Sequence, residues 1–235
     1  MTLRAVLVLL ATLAFALSPV LSPGFPGFTA DQFPVPQVSP PIQPPGLTFA
    51  LIWTVIYAWL IVMALFGLLK RKADPAWDAS RPWVILTLAI GAAWIPVANL
   101  SPVWATVLIW MMLGTAQAAL YRVPARDRLW LEAPLGLYTG WLTAASCVAT
   151  AIVATGYGAS PEQAVQGAFL ILAAWLATAT VRLSPGPRPF YLAGLAWGLL
   201  GIIVGNLMAD RLLFAALAAV ILIILAPLAL RSLRR

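Results

Sequence analysis

Apolar residues run through this chain in long, almost unbroken blocks, not in the two-residue alternation of a half-buried strand or the one-sided stripe of a surface helix. Eight blocks stand out, at about 4–22, 47–69, 83–100, 103–121, 132–155, 164–183, 190–208 and 212–230. Each is close to the roughly 20 residues that an α-helix needs to cross a bilayer. In hydrocarbon a lone segment satisfies its backbone amides only as a helix. The pattern therefore predicts an all-α fold, a polytopic transmembrane helix bundle of about eight spans. Between the first two blocks lies a stretch, 23–46, with Pro23, Pro26, Pro34, Pro36, Pro40, Pro41, Pro44 and Pro45. Proline lacks the amide donor and locks φ, so this stretch is expected to be an extramembrane loop, ordered or semi-ordered. The other connections are short. Asn99-Leu100-Ser101-Pro102 predicts a tight turn with Pro102 in the first turn of the next helix, and Ser160-Pro161-Glu162 predicts an N-cap for the sixth span.

Composition narrows the class. Of 235 residues, 63% are hydrophobic and only 9% charged, and the mean hydropathy is +0.96. A soluble domain carries about 25% charged residues, so a soluble globular protein is excluded. The net charge of +7 comes from scattered residues without a basic stripe on a soluble face, which excludes a nucleic-acid binder. With no His and one Cys, a Cys/His zinc site, a Ser-His-Asp triad and a disulfide are all out of reach.

The basic residues fix an orientation. Arg4, Lys70, Arg71, Lys72, Arg81, Arg122, Arg126, Arg128, Arg182, Arg188, Arg231, Arg234 and Arg235 fall on one side of an eight-span path, and Arg211 alone on the other. By the positive-inside rule both termini are expected in the cytoplasm. Residues 1–22 also show a basic start, an apolar run and Ala14-Phe15-Ala16, the features of a signal peptide. The even-span charge count favours their retention as the first span. The acids Asp31, Asp74, Asp78, Asp127, Glu132, Glu162 and Asp210 lie in loops or at helix ends. Intramembrane charges mark ion paths and proton relays, so an ion-driven pump is disfavoured, and acid–base catalysis within the bilayer lacks candidates.

The informative excess is 11 Trp. Trp77, Trp83, Trp104 and Trp130 sit at span ends and read as interface anchors. Trp53, Trp94, Trp110, Trp141, Trp175 and Trp197 sit deeper, where they either pack helices together or line a cavity. Phe49, Trp53 and Tyr57 share one helical face. So do Thr87, Gly91, Trp94 and Ala98 on span three, Trp110, Gly114, Gln117 and Tyr121 on span four, and Tyr138, Trp141 and Ala145 on span five. These faces fit knob-and-hole packing, or an aromatic pocket for a flat apolar ligand. On span seven, Gly194, Gly198, Gly201 and Gly205 make one face bare backbone, a helix-packing surface for an internal or an intermolecular neighbour. Gly136, Gly140 and Ala144 form a shorter version on span five, and Asn206 beside the span-seven stripe could bond across a helix pair.

Pro44-Pro45-Gly46-Leu47-Thr48-Phe49-Ala50-Leu51-Ile52-Trp53-Thr54-Val55-Ile56-Tyr57 resembles the entry to the second helix of the tryptophan-rich sensory protein / translocator protein (TspO/MBR) family. Trp94-Ile95-Pro96 is similar to that family's third-helix Trp-x-Pro, and Trp141-Leu142-Thr143-Ala144-Ala145 to a fifth-helix Trp-x-Thr-x-Ala. The resemblance covers residues 1–155. It implies a five-helix core with its pocket opening toward the proline-rich loop, and residues 156–235 as three additional spans. It further implies a tetrapyrrole, a sterol or another flat apolar molecule as ligand, with Phe49, Trp53, Tyr57, Trp94, Trp141 and Thr143 as the ligand-binding residues. Three departures stand out. Ser39-Pro40-Pro41-Ile42-Gln43 lacks the aromatic residue the family usually places before its Pro-Pro pair, Gly91 stands where an Asn is common, and Val148 and Ala149 occupy the region of the fifth-helix Asn. Without His, a haem would need Met or Cys147 as axial ligand, so a metal-free porphyrin or another apolar ligand fits better.

The expected function is that of a non-enzymatic sensor, receptor or carrier in a bacterial inner membrane, with the lipid bilayer and a flat apolar small molecule as its partners. The alternative is a non-catalytic structural or assembly subunit of a larger membrane complex, or a homodimer, motivated by the glycine face of span seven, the three extra spans and the lack of chemical groups.

Overall fold

The computed structural model describes residues 2–233 apart from 24, 26 and 125. Pro26 of the proline-rich stretch, and Arg234 and Arg235 of the basic set, lie outside the described residues. Eight long apolar helices match the eight blocks: α1 (Thr2–Leu21), α2 (Gly46–Lys70), α4 (Arg81–Leu100), α5 (Pro102–Leu120), α6 (Ala133–Gly156), α7 (Glu162–Leu183), α8 (Pro189–Met208) and α9 (Leu212–Leu233). A four-residue helix, α3 (Pro75–Asp78), interrupts the connection between the second and third spans, capped by the Asp74 side chain on Ala76 N–H (2.9 Å). One π-helical turn, Arg128–Glu132, leads into α6. The described residues contain no strand. The chain is a multi-pass membrane protein.

Local signals set several boundaries. Pro102 opens α5, and the Ser101 hydroxyl accepts from Trp104 N–H (3.3 Å), as the turn sequence predicts. The sixth span departs from expectation. Its N-cap is Pro161, without a side-chain cap, and Ser160 stands one residue too early.

The hub is α6. Within the protein, 72% of its apolar stretch is buried, against 28% for α1, α2, α7 and α9. It packs on α8 most extensively, then on α5 and α7, while α4 packs between α5 and α1. The α6–α8 contact is backbone against backbone. A Cβ on Gly140 would land on the Tyr191 carbonyl, and one on Gly194 on the Leu137 carbonyl. Lipid offers no hydrophobic drive between helices, so close van der Waals contact must hold them together. The rest of the glycine face is filled from within the same chain. Gly198 faces Ala144 and Trp141, Gly201 faces Thr48 and Pro44, and Gly205 faces Pro45.

The two ends are built differently. At the basic end, Arg71 makes a two-pronged pair with Asp127 (2.8 and 3.1 Å), which also accepts from Trp77 Nε1 (2.9 Å). Asp78 takes Arg4 (2.6 Å) and Arg81 (3.2 Å). Glu132 and Arg188 are both buried nearby, and Arg188 donates to the Leu120 carbonyl (2.9 Å). At the opposite end the proline-rich loop is stitched across four helices. Gln32 Nε2 donates to the Ala98 carbonyl (3.2 Å), Thr155 Oγ1 to Gln37 Oε1 (2.8 Å), Ile42 N–H to Gln166 Oε1 (3.1 Å) and Asn206 Nδ2 to the Pro41 carbonyl (2.6 Å). The described part of the loop forms an ordered lid.

Three aromatic expectations are corrected. Trp77 is not an interface anchor, because it is 2% exposed and pinned by Asp127 and Phe66. Trp175 is 65% exposed on α7, so it neither packs helices nor lines a cavity. The span-four face Trp110, Gly114, Gln117 and Tyr121 is only partly covered. The buried stripe of α5 runs instead through Ala105, Ile109, Met112, Leu113 and Ala116. Trp110 and Gln117 serve at its edge, donating to Thr150 Oγ1 (2.8 Å) and Thr180 Oγ1 (3.0 Å).

Candidate functional site

Beneath the lid, α2, α4, α5, α6 and α8 enclose a cavity of about 80 Å3. Its rings come from three helices. Phe49 and Trp53 face inward because they lie four apart on α2. Trp94 is held by its Nε1 on the Ala105 carbonyl (2.9 Å). Trp141 meets Phe49 edge-on at 5.7 Å and Trp53 at 6.3 Å. Edge-to-face geometry places the positive rim of one ring on the negative face of the next. Ile109, Met112, Val148 and Ile152 complete the apolar wall.

Phe49, Trp53, Trp94 and Trp141 thus converge on one cavity, and two of the expected residues do not. Tyr57 is one turn further along α2. It stacks under Trp53 (5.2 Å, 24°) and meets Phe15 edge-on (5.0 Å), so it supports the wall without lining it. Thr143 lies two residues beyond Trp141, about 200° around the helix. Its hydroxyl bonds Tyr191 of α8 (3.0 Å) and donates to the Thr139 carbonyl (3.0 Å), away from the cavity.

The lid contributes residues that sequence reasoning missed. Phe25 meets Trp94 edge-on (4.8 Å) and Phe28 (5.3 Å), and both line the cavity with Gln43. They supply the aromatic cover absent before the Pro-Pro pair. The only hint was Phe25, Phe28 and Phe33 in a stretch without Trp or Tyr. Gly198 and Ile202 add a wall from α8, beyond the five helices in which the pocket was expected.

Two chemical features define the site. The Trp141 Nε1 is buried with no acceptor, although the residue is only 2% exposed. A buried donor left unpaired is uncommon and costly. Met112 is the sulfur in the wall, Cys147 is not among the lining residues, and no cluster of three metal-ligating side chains occurs among the described residues.

Comparison with curated proteins and with solved structures returned no match. A family model described as "TSPO-like protein" matches residues 5–229, which takes in the three last spans as well as the first five. The chain therefore belongs to the TSPO-like protein family, and is a membrane-helix bundle of the sensor or transporter kind.

Proposed function

We propose that this protein binds a flat apolar molecule, a tetrapyrrole or a sterol-like lipid, in the aromatic cavity under the lid, and acts as a sensor or carrier for it. The observation that carries this reading is the convergence of four rings, Phe49, Trp53, Trp94 and Trp141, on one apolar cavity. A ring-rich apolar wall suits a flat apolar ligand. The enclosed space of about 80 Å3 is well below the ~300–1,000 Å3 of a typical ligand site. Binding then requires Phe25 and Phe28 to move aside, which is a task for the loop rather than for the packed helices. Residues 1–155 act as the five-helix core. Residues 156–235 brace it through α8 and finish the pocket wall.

The reading is tested by titrating the purified protein with protoporphyrin while following Trp fluorescence. Saturable quenching is expected, with the affinity lowered about tenfold in Trp141→Ala, which removes a ring from the cavity wall. Quenching that does not saturate, or an affinity unmoved in both Trp141→Ala and Trp53→Ala, counts against it.

The structural-subunit alternative drew on a bare glycine face, the three extra spans and the lack of chemical groups; the glycine face is occupied within the chain by α6, α2 and the lid. The charge distribution supports a bacterial inner membrane with both termini cytoplasmic.

A further inference from the structure

A second cavity adjoins the aromatic one at the lid end. It is a cleft of about 280 Å3 between the proline-rich loop and the turn joining α8 to α9. Gln43, Pro44 and Gly46 line both spaces, so one short stretch of chain is their common wall. Their chemistries differ. Apart from Gln43 the first is walled by apolar residues, whereas the second also holds the Arg211 guanidinium and the Asn206 carboxamide.

The guanidinium is Arg211, the one basic residue assigned to this end by the span count. Its Nη1 donates to the Ser39 carbonyl (2.6 Å). Among the described residues no carboxylate lies within salt-bridge distance of it. Five donors make one bond, so most are free for an anion. The carboxamide is Asn206, 2% exposed. Its Nδ2 donates to the Pro41 (2.6 Å) and Ile202 (2.8 Å) carbonyls, while its Oδ1 is buried with no partner. The cleft thus presents a guanidinium that no carboxylate neutralises and whose donors are mostly unused.

We propose that this cleft binds the acidic end of the molecule whose flat body enters the aromatic cavity, so that the ligand is an amphipathic carboxylate. This rests on the pocket reading above. Arg211 pairs with the carboxylate, the charge-assisted geometry that guanidinium groups favour. The shared boundary at 43–46 sets the two spaces side by side, so a molecule that spans it has its apolar body and its charge each in matching surroundings.

Protoporphyrin and its dimethyl ester share a ring system and differ in charge, and both are titrated in phosphatidylcholine nanodiscs. Arg211→Gln is expected to weaken the free acid about tenfold, leaving the ester unchanged. Arg211→Lys restores most of the loss, because charge and not the Ser39 bond is what the acid reads. Equal loss for acid and ester in Arg211→Gln identifies the arginine as a mere staple for the loop and overturns the proposal. So does an unchanged affinity for both. If the Arg211 dependence vanishes in phosphatidylglycerol nanodiscs, the cleft belongs to a lipid headgroup, which also overturns it. Failure of both probes to bind the unaltered protein removes the pocket reading, and this inference with it. Binding of both with no Arg211 effect removes this inference alone.

Discussion

At Gly140 and Gly194 the side chain is a hydrogen because a facing carbonyl occupies the place where a Cβ would stand. Gly140→Val is expected to lower stability in detergent by about 1–3 kcal/mol, the usual cost of overpacking. Gly114→Ala serves as its control, since nothing lies within 4 Å of that position, and its melting temperature should not fall. Asp127 supports a pH prediction. The hydrogen bonds from Arg71, against the opposing effect of burial and with help from Trp77, hold its carboxyl below the ordinary 3.8. A carboxylate with a depressed folded pKa stabilises above its unfolded pKa and loses that contribution as pH falls through the folded one. Melting temperature should therefore drop in the unaltered protein as pH is taken from about 5 toward 3, and Asp127→Asn should be less stable at pH 6 with a flatter acid limb. Individual residues were unevenly legible. Phe49 and Trp53 share a face by spacing alone, and Trp94 and Trp141 come with the resemblance. Thr143 was carried over by position, and position says nothing of direction around a helix.

The lid is the element on which ligand entry turns. It is tied at its start by the side chain of Asn99, which donates to the Pro23 carbonyl (3.0 Å), and further along by Arg211 on Ser39. Between these ties, Phe25 and Phe28 cover the cavity. Phe25→Ala with Phe28→Ala should raise the association rate of protoporphyrin severalfold in stopped-flow quenching, because less of the cover must be displaced before the ligand enters. An unchanged rate would show that the ligand enters by another route. Proline density identified this segment as a loop. It could not identify it as ordered, because that order comes from amides and carbonyls on α4, α6, α7 and α8, each distant in the chain.

For the whole molecule, eight spans with thirteen basic residues at one end predict a specific topology. A carboxyl-terminal green fluorescent fusion should fluoresce and a phosphatase fusion at the same site should be inactive. The reverse pattern would invert the assignment and put the lid in the cytoplasm.

The number of spans, their limits to within about three residues, and the end on which charge gathers were readable from the chain, because hydropathy and charge are summed locally and a bilayer imposes one length on every crossing. The choice of neighbours was not. That α8 rather than a second subunit receives Gly136 and Gly140, that Phe25 and Phe28 supply the missing aromatic cover, and that Arg211 meets Ser39 across most of the sequence are outcomes of packing. Backbone approach, ring geometry and the pairing of buried polar groups depend on residues far apart in the chain. Only the folded bundle brings them within reach.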